Sequence, residues 1–243
     1  MNIPVLRNVH EKNSVTARQI RELLDEQHVR MVNVMGGAGC GKTSLLERIL
    51  PSLRRTLRCA VLEGDIATVY DAERIAALSI PVCQLQMEGA CHLDAALVLD
   101  GLRELPLEEV DAVFVENVGN LVCPAEFDIG EHARLAVLSI MEGHDKPAKY
   151  PLLFTRASAV ALAKCDLAAH ADFDRGLAVA RIRQLNRAVP IFDTGRNCSG
   201  DGELVRWLLL QCDRRLRRPQ PNTNLRELIG AGRLGDGDDI FFG

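Results

Sequence analysis

A glycine-rich segment, followed at once by a lysine and two hydroxyl residues, carries the clearest chemical signal in this sequence. The pattern G-x-x-x-x-G-K-[ST], typical of phosphate-binding P-loops, is matched by Gly36, Gly41, Lys42 and Thr43. Glycines let backbone N–H groups surround phosphate oxygens, and the N-terminus of the next helix adds partial positive charge. We therefore expect Lys42 to reach the β- and γ-phosphates of a nucleotide and the Thr43 hydroxyl to be placed for Mg²⁺.

The residues around this segment favour a nucleotide site over a glycine-rich turn that binds nothing. The apolar run at 31–35 predicts a buried strand before it, and an amphipathic run predicts a helix after it, ended by Pro51. This strand–loop–helix order is the context that a P-loop requires. The segment also contains G-x-G-x-G, but its spacing is not that of a dinucleotide site, and Lys42 and Thr43 argue against one.

Two carboxylates stand where predicted strands end. Asp65 follows the apolar run at 59–63, and Glu116 ends the apolar run at 111–116. A P-loop ATPase or GTPase needs an acidic group on Mg²⁺, direct or through water, and a group that positions the attacking water. Asp65 and Glu116 are the candidates for both roles and, with Lys42, for catalysis, and the sequence does not separate them. The alternative is that each acid only caps the turn after its strand.

A further segment bears on the choice of base. Lys164 and Asp166 follow the apolar run at 158–163, where guanine-specific sites commonly carry Asn-Lys-x-Asp. The Asp carboxylate can accept from guanine N1 and the exocyclic amine, and the lysine stem can pack on the base. Ala163 stands in place of the Asn, which predicts weaker or less selective base recognition. The loop at 194–202 is a candidate to lie against the base.

Soft metal ligands form another group. Cys91 and His92 are adjacent at the start of a predicted helix, and Cys123 lies just past the strand that ends in Glu116. In a parallel sheet the two loops can lie at one edge, and two thiolates with an imidazole suit Zn²⁺ or Ni²⁺. Three ligands leave a site incomplete or let two chains share a metal across a two-fold axis. The alternative is an incidental Cys-His pair and a buried cysteine.

Composition limits the classes of partner and compartment. The 243 residues carry a formal net charge of −4, and aromatic residues make up 4% of them, so no nucleic-acid surface is expected. The first residues contain no apolar leader segment, and no run is long enough to span a membrane. These features predict a cytoplasmic protein without membrane association. The eight cysteines are accordingly expected to be reduced thiols.

Alternating strand and helix patterns predict an α/β fold, a P-loop NTPase with a mostly parallel sheet and helices on both faces. Ligands of such sheets bind beyond the carboxyl ends of the strands, where the groups above fall. We divide the chain into an N-terminal helical extension (1–29), a P-loop domain (30–212) and a poorly ordered tail (213–243). Further helices are predicted at 14–27 with Ser14 as N-cap, 71–80, 91–105, 132–141, 174–188 and 201–210, and further strands at 81–85, 152–154, 158–163 and 190–193.

Together these segments resemble the hydrogenase nickel-incorporation GTPases of the HypB type, which are P-loop metallochaperones. The resemblance covers nearly everything but the tail and is most specific in ENVGNLVCP at 116–124, where the related urease accessory GTPases differ. The other segments that carry it are GGAGCGKTSLLE at 36–47, EGDIATVYDAERI at 63–75, CHLDA at 91–95, DKPAKYPLLF at 145–154 and RASAVALAKCDL at 156–167.

The resemblance implies a homodimer formed or tightened by GTP, slow GTP hydrolysis, and Ni²⁺ or Zn²⁺ at the subunit interface. It also implies delivery of nickel toward the hydrogenase large subunit, with a zinc-binding accessory protein as a partner. Carried over by position, the metal ligands are Cys91, His92 and Cys123, the Mg²⁺ residues are Thr43, Asp65 and Glu116, and the base residues are Lys164 and Asp166. The nucleotide loop comprises Gly36, Gly37, Ala38, Gly39, Cys40, Gly41, Lys42, Thr43 and Ser44.

Departures from the family pattern keep other functions open. The cysteine-rich N-terminal nickel site of some members and a His-rich stretch are absent, so nickel storage is not predicted. Cys40 occupies a position where small hydroxyl residues are usual, and it either just fits there or makes the loop sensitive to oxidation. One alternative is a metal-binding dimer that binds nucleotide without turnover. Another is an ATP-using P-loop enzyme, which Ala163 favours and Asp166 opposes.

Overall fold

Short apolar runs become parallel strands in this computed structural model, which describes residues 8–65, 70–86, 89 and 91–212 and only the backbone of residues 8, 9 and 65. The strands are β1 (Arg30–Gly36), β2 (Cys59–Asp65), β3 (Val82–Gln86), β4 (Ala112–Gly119), β5 (Ala133–Ser139), β6 (Ala159–Ala163) and β7 (Ile191–Asp193). In these parts of the chain they form one sheet in the order β3-β2-β4-β1-β5-β6-β7, with every neighbouring pair parallel. The strand that leads into the P-loop, β1, therefore lies at the centre of the sheet.

Helices cover both faces of this sheet. They are α1 (Asn8–Glu26), α2 (Lys42–Leu53), α3 (Tyr70–Ala76), α4 (Ala95–Arg103), α5 (Cys123–Glu126), α6 (Lys146–Lys149), α7 (Pro151–Arg156), α8 (Arg175–Leu185) and α9 (Gly200–Cys212). Because side chains of a strand alternate between faces, Val32 and Val34 pack with α2 and α9, whereas Met31 and Met35 face the other side. There α1 and α4 cover one half of the sheet, and α7 and α8 cover the other. The predicted fold class is confirmed.

Two predicted elements are wrong in type. The helix predicted at 132–141 is the strand β5, whose residues are mostly buried. A short apolar run fits a strand that is buried on both faces as well as it fits a buried helix. The strand predicted at 152–154 is the helix α7, which starts at Pro151. Backbone N–H groups in the first helical turn have no partner within the helix. Proline is favoured there because its lack of an N–H costs no hydrogen bond.

Three predicted helix boundaries also differ. Pro51 lies inside α2, where it lacks the N–H that would donate to the carbonyl four residues earlier, and the helix continues for only two residues beyond it, to Leu53. Ser14 lies inside α1 and is not its N-cap, since its hydroxyl donates to the His10 carbonyl at 2.8 Å. The helix predicted from residue 91 begins only at α4, because the Asp94 side chain accepts from the Leu97 N–H at 2.8 Å and caps it. Cys91 and His92 therefore lie in a loop.

The other predicted helices and strands are confirmed with shifted ends. The tail predicted at 213–243 lies outside the described residues. The parallel topology brings the carboxyl ends of β1, β2, β4 and β6 to one edge of the sheet, which is the edge that carries the candidate site.

Candidate nucleotide site and adjoining metal centre

The P-loop joins the central strand to a helix that starts on the motif lysine. Strand β1 ends at Gly36, and α2 starts at Lys42 with Gly41 as its N-cap residue. Gly41 has a φ of 102°, a left-handed conformation that glycine adopts without the steric cost of a Cβ. The Lys42 ammonium folds back over the loop and donates to the carbonyls of Gly36 and Gly37 at 3.5 and 3.3 Å. The loop therefore curls around its own lysine at the N-terminus of a helix, an arrangement that suits phosphate.

An acidic cleft of about 400 Å³ opens in front of this loop. The Thr43 hydroxyl donates to Oε1 of Glu116 at 2.8 Å, which ties α2 to β4. Carboxylate oxygens of Glu63, Asp71 and Glu116 lie within 4.8 Å of one another. The lining also includes Ala38, Gly39, Gly41, Lys42, Ser44, Arg74 and Lys164. Hydrogen-bond donors for phosphate and a cluster of carboxylates thus share one cleft.

Burial makes the carboxylates of Glu63 and Glu116 costly to ionise. It raises the pKa of Glu63 to about 10, with a further contribution from the neighbouring Glu116. Burial also raises the pKa of Glu116, although the Lys42 ammonium and the Thr43 hydroxyl oppose that shift. Oε2 of each glutamate is buried and has no hydrogen-bond partner among the described residues. A divalent cation would satisfy both oxygens, so this group fits Mg²⁺.

Sequence reasoning found only part of this cluster. The structure places Glu116, one of the two predicted acids, in the cleft, and the side chain of Asp65, the other, lies outside the described atoms. Sequence reasoning missed Glu63, which the parallel register of β2 and β4 aligns with Glu116. An acidic residue within an apolar strand pattern was the available signal. Asp71 had no such signal, because it joins the cluster from α3 only after the chain returns toward the P-loop.

A second cleft, of about 320 Å³, adjoins the first and shares Gly41, Ser44 and Lys164 with it. The Lys164 ammonium donates to the Gly39 carbonyl at 2.8 Å, so its aliphatic stem crosses the P-loop. Asp166 accepts from the backbone N–H of Arg196 at 3.2 Å. The remaining lining residues are Arg48, Ala163, Leu167 and Gly195. The two predicted base residues therefore lie side by side, next to the phosphate cleft.

The loop predicted to lie against the base contributes only its first part. Gly195 and Arg196 line this second cleft, whereas Gly200 already starts α9. Gly195 packs on the Asp166 carboxylate. The cleft has no amide side chain at Ala163, which is the last residue of β6 and is buried.

The three soft ligands come together where the loop before α4 meets the start of α5. The Cys91 thiol donates to the Cys123 sulfur at 3.0 Å, and the Cys91 sulfur lies 3.6 Å from Nδ1 of His92. One ligand atom from each of the three residues lies within 4.8 Å of the others. Cys91 is exposed, while His92 and Cys123 are half-buried, so the group opens to the surface. The arrangement can supply two sulfurs and one nitrogen to a single metal ion.

The proton states of this group also suit a borderline metal. Burial lowers the pKa of His92, which leaves its imidazole neutral at neutral pH, the form that binds metals. The hydrogen bond with Cys91 raises the pKa of Cys123. A metal must therefore displace thiol protons as it binds. Sulfur and imidazole ligands together fit Ni²⁺ or Zn²⁺.

Asn120 links the metal loops to the P-loop. Its Nδ2 donates to the Cys91 carbonyl at 3.3 Å, and its Oδ1 accepts from the Val122 N–H at 2.8 Å. Its side chain also hydrogen-bonds Cys123 and lowers the pKa of that thiol, against the larger effect of Cys91. Its backbone forms an isolated antiparallel bridge with Gly36. Asn120 thus contacts the first residue of the nucleotide motif and both ligand loops.

Cys40 has no exposed surface. Burial raises the pKa of its thiol to about 11. A protonated, inaccessible thiol is a poor nucleophile and a poor target for oxidants. The structure therefore favours the first of the two expectations for Cys40, that it simply fits the space.

A family model described as the CobW/HypB/UreG nucleotide-binding domain matches residues 30–193. The chain belongs to the CobW/HypB/UreG family. This family member is 41% identical over 206 residues to the hydrogenase maturation factor HypB of Escherichia coli K12, a match that covers 84% of this chain and 71% of that protein.

Solved structures agree with that family assignment. HypB from Helicobacter pylori in complex with nickel has a TM-score of 0.79 and 29% identity, covering 86% of this chain and 99% of that one. HypB from Archaeoglobus fulgidus has a TM-score of 0.76 and 30% identity, covering 82% and 97%. The resemblance to HypB proteins is therefore confirmed. None of the described helices of this family member has the length and apolar character needed to cross a lipid bilayer.

Proposed function

We propose that this chain is a GTP-hydrolysing nickel metallochaperone for the maturation of [NiFe] hydrogenase. One observation carries the proposal. The strand end that supplies Glu116 to the P-loop Thr43 continues directly into the loop that supplies Cys123 to the Cys91–His92 pair. A single backbone segment thus serves a phosphate-binding cleft and a soft-ligand cluster, as a protein that couples nucleotide state to metal affinity requires.

Nickel is the proposed cargo, with zinc as the competing ion. Cys91, His92 and Cys123 hold it, and a second copy of the chain completes the coordination across a two-fold axis. The names of the relatives support this choice, since they are hydrogenase maturation factors and one solved HypB structure contains nickel. The resemblance further implies the hydrogenase large subunit as the destination and a zinc-binding accessory protein as a partner.

GTP is the proposed nucleotide. Lys42 binds the β- and γ-phosphates, and Thr43 with Glu116 and its acidic neighbours holds Mg²⁺. The bound Mg²⁺ would supply positive charge that balances the charge developing on the phosphoryl oxygens. Asp65 or Glu116 positions the attacking water. Lys164 packs its stem on the base, and Asp166 accepts from the guanine edge.

Coupling follows from the connection between the two sites. GTP orders the segment after β4, draws Cys123 toward Cys91 and stabilises the dimer. Hydrolysis releases the loops, weakens the dimer and lowers the affinity for nickel. Metal release is thereby tied to the hydrolytic step, and the protein delivers nickel in the cytoplasm without a membrane partner.

The deciding experiment measures mass by light scattering in four states, namely metal-free, with Ni²⁺, with a GTP analogue and Mg²⁺, and with both. Each state is repeated with Cys123→Ala and with Cys83→Ala, a control at a half-buried thiol on β3. We expect the analogue to drive dimerisation of all three proteins. Bound nickel should approach one ion per dimer in the wild type and the control, and it should be lost in Cys123→Ala.

Other outcomes assign other functions. A chain that stays monomeric and metal-free while hydrolysing nucleotide is not a metallochaperone, and the ligand cluster is then incidental. Nucleotide binding without phosphate release identifies a non-catalytic metal-binding dimer. Equal competition by ATP and GTP for the site favours an ATP-using enzyme, the reading that the missing amide at Ala163 supports.

A further inference from the structure

The helix α1, which lies outside the residues that the family model matches, contacts both loops that carry the soft ligands. The contact is made by Asn13, a half-buried residue on the face of α1 that meets α4. Its Oδ1 accepts from the backbone N–H of Ala95 at 2.8 Å, and its Nδ2 donates to the backbone carbonyl of Asp128 at 2.7 Å. One amide side chain therefore bridges two loops that are distant in sequence.

The two bridged positions lie next to the ligands. Ala95 is the first residue of α4 and closes the loop that contains Cys91 and His92. Asp128 lies just after α5, the short helix that begins at Cys123. A residue that fixes Ala95 and Asp128 relative to each other thus fixes the approach of the two loops.

A second contact between α1 and this region strengthens the argument. The guanidinium of Arg21 donates to Oδ1 of Asp128 at 2.6 Å, so the loop after α5 is held from α1 by side chain as well as by backbone. The residue before Asp128 is Phe127, whose ring stacks on the imidazole of His92 with centroids 3.7 Å apart and planes at 24°. The ring of His10 on α1 stacks on the same Phe127 at 4.9 Å and 24°.

This stack gives α1 a route to a ligand as well as to the loops. A neutral imidazole has two nitrogens, and its orientation decides which one faces the metal. Phe127 fixes the plane of the His92 ring, and His10 supports Phe127. The orientation of His92 and the distance between the thiol loops therefore both depend on the position of α1.

We propose that Asn13 is a positioning residue for the metal centre and that α1, through Asn13, sets how tightly Cys91, His92 and Cys123 hold Ni²⁺. This inference rests on the proposed function, because it requires those three residues to bind the ion. Asn13 touches no ligand atom and acts only through the backbone of Ala95 and Asp128. Displacement of α1 opens the site and lowers its affinity for nickel.

The test is a Ni²⁺ titration of the full chain, carried out on the wild type, Asn13→Ala and Ser14→Ala. Binding is monitored by the thiolate-to-nickel charge-transfer absorption. Ser14 is the matched control, since it neighbours Asn13 and, among the described residues, its hydroxyl bonds only the His10 carbonyl of its own helix. Loss of a residue that orients metal ligands typically weakens binding about 10- to 100-fold. We expect that loss and a shifted band for Asn13→Ala, with wild-type values for Ser14→Ala.

Affinity for a fluorescent GTP analogue and the thermal midpoint are measured on the same samples. If Asn13→Ala loses nickel while both values match those of Ser14→Ala, the effect is positional and not a general loss of structure. If Asn13→Ala does not fold, Asn13→Asp takes its place, because it keeps the acceptor for Ala95 and lacks the donor for Asp128. We expect the same direction of change for it.

Two results overturn the inference in distinguishable ways. Wild-type nickel affinity and an unchanged band in the Asn13 variant exclude a positioning role while leaving the metal centre intact. Failure of the wild type to bind Ni²⁺, or binding by Cys123→Ala at wild-type strength, removes the metal centre and the inference with it.

Discussion

Gly119 lies directly against Ala38, so closely that a Cβ on Gly119 would stand 2.6 Å from the Cα of Ala38. Gly119 is the last residue of β4, and Ala38 lies in the middle of the P-loop. Both sides of this contact are backbone, which cannot yield as a flexible side chain does. A shift of the P-loop toward β4 on nucleotide binding would press on the strand end that leads to Cys123, which gives the proposed coupling a physical path.

Substitution of Gly119 by alanine tests that path. The added methyl group must push β4 and the P-loop apart, and overpacking of this kind costs about 1–3 kcal/mol. We expect nucleotide affinity and Ni²⁺ affinity to fall together, each by about tenfold, which corresponds to about 1.4 kcal/mol. Fluorescence titration with a labelled guanine nucleotide and a parallel nickel titration measure the two effects.

The control for this substitution is Gly202→Ala. Gly202 lies in the first turn of α9, where a Cβ would meet no described atom within 4 Å apart from its chain neighbours and its own helix backbone. That variant should bind both ligands as the wild type does. Wild-type affinities for Gly119→Ala would mean that the contact yields to the added methyl group. A loss of nucleotide affinity alone would mean that a change at the P-loop does not reach the metal loops.

The sequence predicted those parts of the site whose signal is local. The P-loop has a fixed spacing because its glycines must adopt particular backbone conformations, as Gly41 does with its φ of 102°. The pairing of Cys91 with Cys123 was also predictable, because loops after parallel strands meet at one edge of the sheet. Both inferences needed only the strand order along the chain and not the order in space.

The parts that failed depend on packing between distant segments. Glu63 reaches Glu116 through the register of β2 and β4, and no pattern in either strand specifies that register. The segment of β5 reads as a helix because a fully buried strand has no alternation of polar and apolar residues. The role of Asn13 was equally hidden, since its partners are backbone groups of Ala95 and Asp128.

The Thr43 hydroxyl should be needed for the response to Mg²⁺. In Thr43→Val the side chain keeps its shape but has no donor for Glu116, whose carboxylate already has an unpartnered buried oxygen. We expect the Mg²⁺ concentration for half-maximal GTP turnover to rise about 10- to 100-fold, the range for loss of a hydrogen bond to a charged group. Phosphate release measured across a Mg²⁺ series tests this.

Thr43→Ser is the control for this change, because it retains the hydroxyl and loses one methyl group. It should keep a Mg²⁺ requirement close to that of the wild type. An unchanged Mg²⁺ midpoint in Thr43→Val would place the cation away from Thr43 and leave the cluster of Glu63, Asp71 and Glu116 as its site.

Ala163→Asn should sharpen the choice of base. Ala163 ends β6, directly before Lys164, and lines the second cleft. We expect an asparagine amide there to donate to an acceptor on guanine that adenine lacks. One added hydrogen bond contributes about 0.5–1.5 kcal/mol, so the ratio of GTP to ATP affinity should rise about threefold to tenfold. Competition of each nucleotide against a labelled guanine analogue measures the ratio.

The same competition with Asp166→Asn serves as the opposite control. Asp166 lines this cleft, and its replacement removes the carboxylate proposed to accept from the guanine edge, so the ratio should fall. A ratio that stays the same in both variants would show that this cleft does not hold the base. A thermal midpoint taken for each variant separates a changed preference from a damaged fold.

Stability should depend on the protonation of His132, the residue directly before β5. Its Nδ1 accepts from the Met31 N–H at 3.0 Å, and burial, aided by Arg30 and opposed by Asp25, lowers its pKa to about 4. In the unfolded chain the pKa is about 6.5, so between these values the unfolded chain binds a proton that the folded chain does not. The contribution of His132 is therefore complete above about pH 6.5 and is lost as the pH falls toward 4.

Urea unfolding of the wild type and His132→Asn at pH 7.5 and pH 5.0 measures this contribution. The asparagine keeps an acceptor near Met31 but does not titrate, so its deficit in unfolding free energy should be largest at pH 7.5 and should shrink at pH 5.0. Glu63, whose pKa is raised to about 10, acts in the opposite direction, because its folded form holds the extra proton. That effect is common to both proteins and cancels in their difference. A deficit of the same size at both pH values would mean that His132 is protonated or exposed in the folded chain.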